Sequence, residues 1–308
     1  MRIFVLCNSD LLALPMLNSL KERGLLVGVG IAKENVSSLM PALNSLGIQT
    51  KDCLVLDRAS WVIRLKDTLL ENKVDTVWVL TFPWLLPASL LEVPPKGFVN
   101  FHFGLLPKYR GIDPVFWQIK NQEKSGGITV HLMTEEVDSG PVIYQEQTML
   151  MPGENYGLHC QRIGGLAPSL MDKVLDALMN ENQQYQELEK VEKHFDWKPR
   201  KEDLTIDWQT QTAENIEYLV NATNPKYGGA QTTMGQFELR ILEVTPVTME
   251  TKIEAEPGQI VYADVIYGLV VACFGGDFLR ITIAKTSEGY MSGVRLFNLG
   301  FVKGHKFG

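Results

Sequence analysis

Two polar side chains at the end of a short apolar stretch have the types and spacing needed for acid–base chemistry. Asn100 and His102 lie two residues apart between Gly97 and Phe103. Because side chains of a strand alternate between its faces, the two share one face. An amide can donate to a developing negative charge, and an imidazole can donate to it or relay a proton. Asp138, which follows the strand-like run from Gly127 to Thr134, could complete an Asn–His–Asp constellation.

The sequence around these residues resembles the folate-dependent formyltransferases. Asn-x-His is followed by Leu105-Leu106-Pro-Lys-Tyr-Arg-Gly, and Asp138 begins an Asp-x-Gly motif. The resemblance is strong over about residues 1–180, and looser beyond. The family includes methionyl-tRNA formyltransferase, glycinamide ribonucleotide formyltransferase and nucleotide-sugar N-formyltransferases. The resemblance implies an enzyme that moves the formyl group of N10-formyltetrahydrofolate to a primary amine, with Asn100, His102 and Asp138 catalytic and no metal.

The family pattern also implies a pocket for the pterin ring of the folate. The residues that match it are apolar, and they are Phe82, Trp84, Leu86, Leu105, Leu106 and Val137. Aromatic side chains in such a loop can equally pack into the core. Candidate contacts to the acceptor or the loop are Lys108, Tyr109, Arg110 and His131. A local ion pair of Arg110 and a structural role of His131 are equal alternatives. The neighbouring Asp138 carboxylate is expected to raise the pKa of His102.

Alternation of apolar and helical segments predicts an α/β fold. Strands at 2–7, 27–32, 53–56 and 76–81, separated by helices, indicate a Rossmann-like, doubly wound, mostly parallel sheet. One long helix is predicted from Asn155 to about Met179. We expect a catalytic domain over residues 1–182, a polar connector over 183–203, and a small OB-like β-barrel over 204–308, where short strands are closely spaced.

The loop after the first predicted strand excludes two common nucleotide sites. Residues 7–10, Cys-Asn-Ser-Asp, contain no glycine, so neither the dinucleotide fingerprint nor a P-loop is present. Glycinamide ribonucleotide formyltransferases carry a glycine-rich loop here for the substrate phosphate. Because this chain lacks that loop, glycinamide ribonucleotide is in doubt as its substrate.

Composition indicates the cellular compartment and the kinds of site and partner to expect. Four scattered cysteines in 308 residues, with no CxxC pair, indicate reduced thiols and no zinc site. No uninterrupted apolar run reaches the roughly 20 residues of a membrane span. We therefore expect a cytoplasmic protein. The net charge of −7 gives no general attraction to nucleic acid or membrane.

The acceptor amine is the open question at this level. The leading hypothesis is a nucleotide-linked amino sugar or another small biosynthetic amine, and the second is the methionyl-tRNA reaction. Residues 201–308 hold 9 Lys and Arg against 13 Asp and Glu, a balance of 9 − 13 = −4, which makes a nucleic-acid partner unlikely. A formyl-folate hydrolase and an inactive folate-binding homologue are further alternatives. A homodimer, supported by the small barrel, is also open.

Overall fold

The computed structural model describes residues 1–180, 182–188, 198–250 and 253–308. Thirteen strands lie in the described residues: β1 (Ile3–Cys7), β2 (Leu26–Ala32), β3 (Cys53–Leu56), β4 (Thr76–Leu80), β5 (Phe98–His102), β6 (Ser125–Leu132), β7 (Val142–Met149), β8 (Ala230–Met234), β9 (Phe237–Val247), β10 (Ile260–Asp264), β11 (Gly268–Ala272), β12 (Phe278–Thr286) and β13 (Gly289–Ser292).

Nine α-helices accompany the strands in the same residues. They are α1 (Asp10–Glu22), α2 (Val36–Ser45), α3 (Trp61–Glu71), α4 (Ala88–Leu91), α5 (Pro114–Lys120), α6 (Tyr156–Leu166), α7 (Met171–Met179), α8 (Ala213–Thr223) and α9 (Gly293–Asn298). None of these helices is long and apolar enough to cross a membrane.

The structure divides into two compact units. The first comprises Met1–Pro114, Ser125–Met149 and the described residues from Cys160 to 188. The second comprises Val115–Lys124, Leu150–His159 and the described residues from 198 onward. The two short segments at 115–124 and 150–159 therefore group with the C-terminal part of the chain. Residues 189–197, which make up much of the predicted connector, lie outside the described residues.

The first unit is built on a seven-stranded sheet in the order β3-β2-β1-β4-β5-β6-β7. The pairs from β3 to β5 are parallel, and β6 and β7 are antiparallel. The central strands β1 and β4 are buried along their whole length, as expected when helices cover both faces of a sheet. β4 pairs with β5 so that Val79 lies opposite Asn100. The carboxyl ends of β4 and β5 therefore meet at one edge, where ligands of such sheets bind.

The second unit is an antiparallel sheet in the order β10-β11-β12-β9-β8, with β13 paired to β12. Its core surrounds the buried Trp208, whose indole ring stacks on Phe307 with centroids 5.5 Å apart. The indole N–H donates to the Thr232 hydroxyl over 2.9 Å, so its polar atom is satisfied. The prediction of a Rossmann-like, mostly parallel α/β domain followed by a smaller β domain is confirmed, and the strands of the second domain form an antiparallel sheet.

The prediction of one long helix from Asn155 to about Met179 is wrong. The helix is interrupted, because α6 ends at Leu166 and a 3₁₀ turn at Ala167–Leu170 separates it from α7. Pro168 lies in that turn. Proline has no N–H for the helical hydrogen bond, and its ring crowds the preceding turn, so Pro168 weakens the α-helix at this point.

Candidate active site

Four polar side chains converge at the end of β5, and they are those of Asn100, His102, His131 and Asp138. Asn100 and His102 lie on β5, and β6 places His131 opposite Asn100 and Thr129 opposite His102. Paired residues of neighbouring strands share a sheet face, so these side chains form two rows. The loop between β6 and β7 brings Asp138 onto them. The three residues predicted to be catalytic therefore lie together, with His131 as a fourth member.

The amide of Asn100 donates two hydrogen bonds within this group. Its Nδ2 lies 3.1 Å from Asp138 Oδ1 and 3.2 Å from His131 Nε2. His131 Nδ1 faces the Leu132 carbonyl oxygen at 2.9 Å, so Nδ1 carries the proton and Nε2 accepts from Asn100. Both N–H groups of Asn100 are thus engaged. Asn100 can donate to a substrate oxygen only by exchanging one of these partners.

The imidazole of His102 is held by the backbone on one side and faces a carboxylate on the other. Its Nε2 donates to the Tyr109 carbonyl oxygen over 2.8 Å. Its Nδ1 lies 3.6 Å from Asp138 Oδ2, which is beyond hydrogen-bond distance but within strong Coulombic range. In the neutral ring Nδ1 therefore has the lone pair, and protonation at Nδ1 would create an ion pair with Asp138.

Burial decides the protonation state of His102. Desolvation of the ring lowers its pKa below the ordinary value, and this outweighs the opposing effect of Asp138. Asp138 raises the pKa of His102 as expected, but desolvation has the larger effect and the net shift of that pKa is downward. Burial also works to raise the pKa of Asp138, but the neighbouring His102 and His131 and the Gly111 N–H lower it well below its usual range. Near neutral pH the pair is a carboxylate beside a neutral imidazole.

The loop that carries the family motif is anchored at its start by Thr129. The buried Thr129 hydroxyl donates to the Gly104 carbonyl oxygen over 2.6 Å and accepts from Leu106 N–H over 3.0 Å. Gln145 on β7 donates through Nε2 to both the Thr129 hydroxyl and the Leu106 carbonyl oxygen, over 2.8 and 2.9 Å. The Leu105 side chain packs against the backbone of Gly127, in space that a side chain at position 127 would occupy. These bonds fix the turn that leads from His102 to Tyr109.

The same loop is anchored at its end on the Asp138 loop. Arg110 Nη2 donates to the Val137 carbonyl oxygen over 2.7 Å, and Gly111 N–H donates to Asp138 Oδ2 over 2.9 Å. Arg110 also lies 3.7 Å from the Glu136 carboxylate. Tyr109 and Asp138 both have positive φ angles, 57° and 46°, which non-glycine residues seldom adopt and which concentrate at functional sites. Arg110 thus braces the two loops, and the neighbouring Lys108 is exposed.

The predicted pterin loop follows β4 at the same sheet edge. Phe82 and Trp84 pack edge to face, with centroids 5.3 Å apart, and both contact Trp61 at 5.3–5.6 Å. Leu86 is buried in the adjoining core cluster. The rings are half-buried and inclined to one another, so they do not form one flat wall. Their assignment to the folate remains a prediction.

Three features of the site were not predicted from the sequence. They are the Thr129 hydroxyl, the Gln145 side chain and the backbone groups of Tyr109 and Gly111. Thr129 lies two residues before His131 on the same strand, so their side chains share one face of the sheet. That spacing is the feature of the sequence that could have pointed to Thr129. The backbone contacts depend on loop conformations that residue types do not specify. The described residues contain no group of three or more His, Cys, Asp or Glu that could hold a metal ion.

Comparison with known proteins assigns the fold and the chemistry to one family. A formyl transferase family model matches residues 58–175, and a model of the formyl transferase C-terminal domain matches residues 198–301. The methionyl-tRNA formyltransferase of Geobacter metallireducens is 30% identical over 233 residues, which cover 73% of this chain and 72% of that protein.

Solved structures show the same fold at low sequence identity. HypX from Aquifex aeolicus, in complex with tetrahydrofolic acid, matches with a TM-score of 0.68 and 16% identity over 96% of this chain. The chain spans about half of HypX, 47% of its length. An N-formyltransferase from Helicobacter canadensis, in complex with folinic acid and dTDP-3-aminofucose, matches with a TM-score of 0.65 and 14% identity over 91% of this chain and 98% of its own. The chain belongs to the formyl transferase family.

Proposed function

We propose that this protein transfers the formyl group of N10-formyltetrahydrofolate to the primary amine of a small biosynthetic acceptor. The observation that carries the proposal is the convergence of Asn100, His102 and Asp138 at one sheet end, where His102 Nδ1 lies 3.6 Å from Asp138 Oδ2 and Asn100 Nδ2 lies 3.1 Å from Asp138 Oδ1. The formyl donor supplies an activated one-carbon acyl group. The residues must accept a proton from the amine, stabilise negative charge on the formyl oxygen, and return a proton to the folate nitrogen.

His102 is suited to the proton transfer. The attacking amine forms a bond to the formyl carbon and must lose one proton, which the lone pair of neutral His102 can take. The resulting imidazolium lies beside Asp138, whose charge stabilises it. The bond from the formyl carbon to N10 then breaks, and the proton passes to N10. This cycle leaves His102 neutral again, so protons balance over one turnover.

Asn100 is suited to donate a hydrogen bond to the oxygen of the formyl group. Its amide is held by Asp138 and His131, which define the direction of both N–H groups. Exchange of one partner for the formyl oxygen would place a donor where negative charge develops, and a preorganised donor of this kind accelerates acyl transfer by about 10²–10³. His131 acts in this scheme by orienting Asn100.

The folate is expected on the side of the β4 loop. Phe82, Trp84 and Leu86 provide apolar contact area next to the sheet end that bears Asn100, and half-buried rings suit a planar heterocycle. The Helicobacter canadensis protein of the same fold is in complex with a folate and an amino sugar linked to a nucleotide. That likeness makes a nucleotide-linked amino sugar the first acceptor to test.

The relative in Geobacter metallireducens supports a second candidate, the formylation of methionyl-tRNA. Binding of tRNA requires cations that neutralise phosphates, and it weakens steeply with salt. Residues 201–308 have a balance of 9 − 13 = −4, which favours the small acceptor. The two candidates share the same catalytic residues and differ only in what carries the amine.

A product assay tests the proposal. The purified chain is incubated with formyl-folate and either a nucleotide-linked amino sugar, methionyl initiator tRNA or no acceptor. Tetrahydrofolate release and formylated product are measured together. Formylated sugar nucleotide supports the proposal. Formylated tRNA with sub-micromolar, salt-sensitive binding promotes the second candidate, and formate without any formylated amine shows a hydrolase.

A further inference from the structure

Gln145 lies on β7, the last strand of the seven-stranded sheet, and it is exposed. The strand register places it opposite Thr129, which in turn lies opposite His102. Neighbouring strands are about 4.8 Å apart, so the Cα atoms of Gln145 and His102 are about 10 Å apart. Because Thr129 lies between them, any effect of Gln145 on the imidazole must pass through other residues.

The hydrogen bonds of the Gln145 carboxamide fix its orientation. Its Nε2 lies 2.9 Å from the Leu106 carbonyl oxygen and 2.8 Å from the Thr129 hydroxyl. A carbonyl oxygen can only accept, so the end of the amide that faces Leu106 must be the N–H end. Both N–H groups of the amide are thereby engaged, and Gln145 acts here as a double donor.

These donors leave the Thr129 hydroxyl with one place for its proton. A hydroxyl accepts up to two hydrogen bonds and donates one. The Leu106 N–H, at 3.0 Å, and Gln145 Nε2 fill both accepting positions. The proton therefore points to the Gly104 carbonyl oxygen, 2.6 Å away. Thr129 is fully buried, which shields this arrangement from bulk water.

Gly104 is the point at which this arrangement meets the imidazole. A Cβ atom at position 104 would lie 2.9 Å from His102 Nε2 and 3.2 Å from His102 Cδ2, so the Gly104 backbone lies close to the ring. The same Nε2 donates to the Tyr109 carbonyl oxygen at the far end of the loop. A displacement of Gly104 would therefore alter both the space and the hydrogen bond that keep Nδ1 directed toward Asp138.

We propose that Gln145 is a positioning residue for His102, which it orients through the Thr129 hydroxyl and the Gly104 backbone. The inference rests on the proposed role of His102 as the base in formyl transfer. It adds a residue that touches neither the substrate nor the imidazole. The property that Gln145 must supply is its pair of N–H donors, and a side chain of equal size without them should not replace it.

Two variants of similar size separate the donors from the bulk of the side chain. Gln145→Glu places a carboxylate oxygen against the Leu106 carbonyl oxygen, which repels it. The same carboxylate attracts the Thr129 proton away from Gly104. Gln145→Met has a similar length and lacks the N–H donors.

We expect these variants to lower kcat more than they change KM. With 10-formyltetrahydrofolate and the amine accepted in the product assay, kcat should fall about tenfold in Gln145→Met and further in Gln145→Glu. A misplaced catalytic group can cost up to about 10² in rate. KM for the folate should change by about twofold at most, because Gln145 does not contact it.

Gln147 provides the matched control. It is exposed, lies two residues along β7 on the same face, and has no side-chain hydrogen bond to Thr129 or Leu106 in the described chain. Gln147→Glu and Gln147→Met make the same chemical changes and should leave kcat unchanged. In the double variant Thr129→Val/Gln145→Met the loss should be well below the product of the two single losses, because both act on one turn. Full multiplication of the losses would overturn the route through Thr129.

The ring nitrogens of His102 give a readout that does not depend on turnover. At about pH 8, above the ordinary histidine pKa of about 6.5, ¹⁵N NMR should show a single neutral form in the wild type, with the proton on Nε2. Gln145→Glu should shift these signals toward a mixture of the two neutral forms, and the Gln147 variants should not.

The two measurements keep this inference separate from the proposed function. Wild-type ring signals or wild-type kcat in Gln145→Glu, in a protein that formylates amines, would overturn the role of Gln145 and leave formyl transfer standing. Absence of formylation in the wild-type protein would overturn the proposed function, while the ring signals would still test the positioning of His102.

Discussion

The Asn100 amide spans the Asp138 carboxylate and the His131 ring, with its Nδ2 atom 3.1 Å from Asp138 Oδ1 and 3.2 Å from His131 Nε2. A single hydrogen-bonded unit thus contains the group assigned to the formyl oxygen and the carboxylate that faces the base. Changes at Asp138 should therefore affect two catalytic functions at once. Changes at His131 should remove the partner that orients Asn100 and one of the groups that lower the pKa of Asp138, while the base and its carboxylate stay in place.

His131 provides a test of that difference. His131→Ala removes the acceptor that orients Asn100, and we expect kcat to fall about tenfold to hundredfold, less than the loss of the oxygen donor itself. His131→Gln can still accept from Asn100 and should recover part of the rate. KM for the folate should change little in both variants. Equal kcat for His131→Ala and the wild type would remove His131 from the site.

Thr129 should position the loop rather than contact substrate. Thr129→Val keeps the side-chain shape but leaves the Leu106 N–H and the Gly104 carbonyl without their partner, at a cost of about 1–3 kcal/mol in unfolding free energy. Urea denaturation measures that cost. Thr129→Ser, which retains the hydroxyl, is the control and should lose less. A Thr129→Val protein as stable and as active as the wild type would show that these bonds do not hold the loop.

The pKa of His102 gives a prediction with a definite sign. Because burial lowers it, we expect the imidazole signal in an NMR titration to have a midpoint below the usual value of about 6.5. Asp138→Asn removes the charge that raises it, so the midpoint should move lower still. For the unfolded chain the midpoint is about 6.5, so the unfolded state takes up the proton first. This group therefore costs stability as pH falls from about 6.5 toward its folded pKa. A midpoint above 6.5 in the wild type would contradict the neutral base.

Trp84 tests the side on which the folate binds. Trp84→Ala removes a half-buried ring and should weaken folate binding about tenfold, while binding of the acceptor changes less. Calorimetry with tetrahydrofolate measures this directly. Ile63→Ala, which alters an exposed residue of α3, is a suitable control. Unchanged folate affinity in Trp84→Ala would mean that the aromatic cluster with Trp61 is only part of the core.

The sequence predicted the sheet well because its pattern is local. Buried strands such as β1 and β4 are short apolar runs separated by helices, and the spacing of Asn100 and His102 on β5 fixes their common face. Asp138 could be placed only through the family motif, since the loop that carries it has a left-handed residue at that position. Pro168 lies at the break between α6 and α7, but prolines also lie inside α1 and α2, so residue type alone does not locate the break.

The sequence indicated which residues form the site better than it indicated their pKa values and hydrogen bonds. The pKa of His102 depends on the balance between burial and the Asp138 charge, and burial is a property of the folded chain. The engagement of both Asn100 N–H groups, and of His102 with the Tyr109 carbonyl, likewise depends on loop geometry. A residue pattern indicates which groups meet, but the fold determines what each group can still donate or accept.

The catalytic roles of His102 and Asp138 are tested most directly by a single-turnover measurement of formyl transfer in wild-type, His102→Ala and Asp138→Asn proteins. Formyl-folate is mixed with excess enzyme and an accepted amine, and tetrahydrofolate and formylated amine are quantified over time. We expect equal amounts of both products in the wild type and rates about 10²–10⁴ lower in each variant, with folding and folate affinity retained. Near wild-type rates of formylated amine in either variant would contradict these roles.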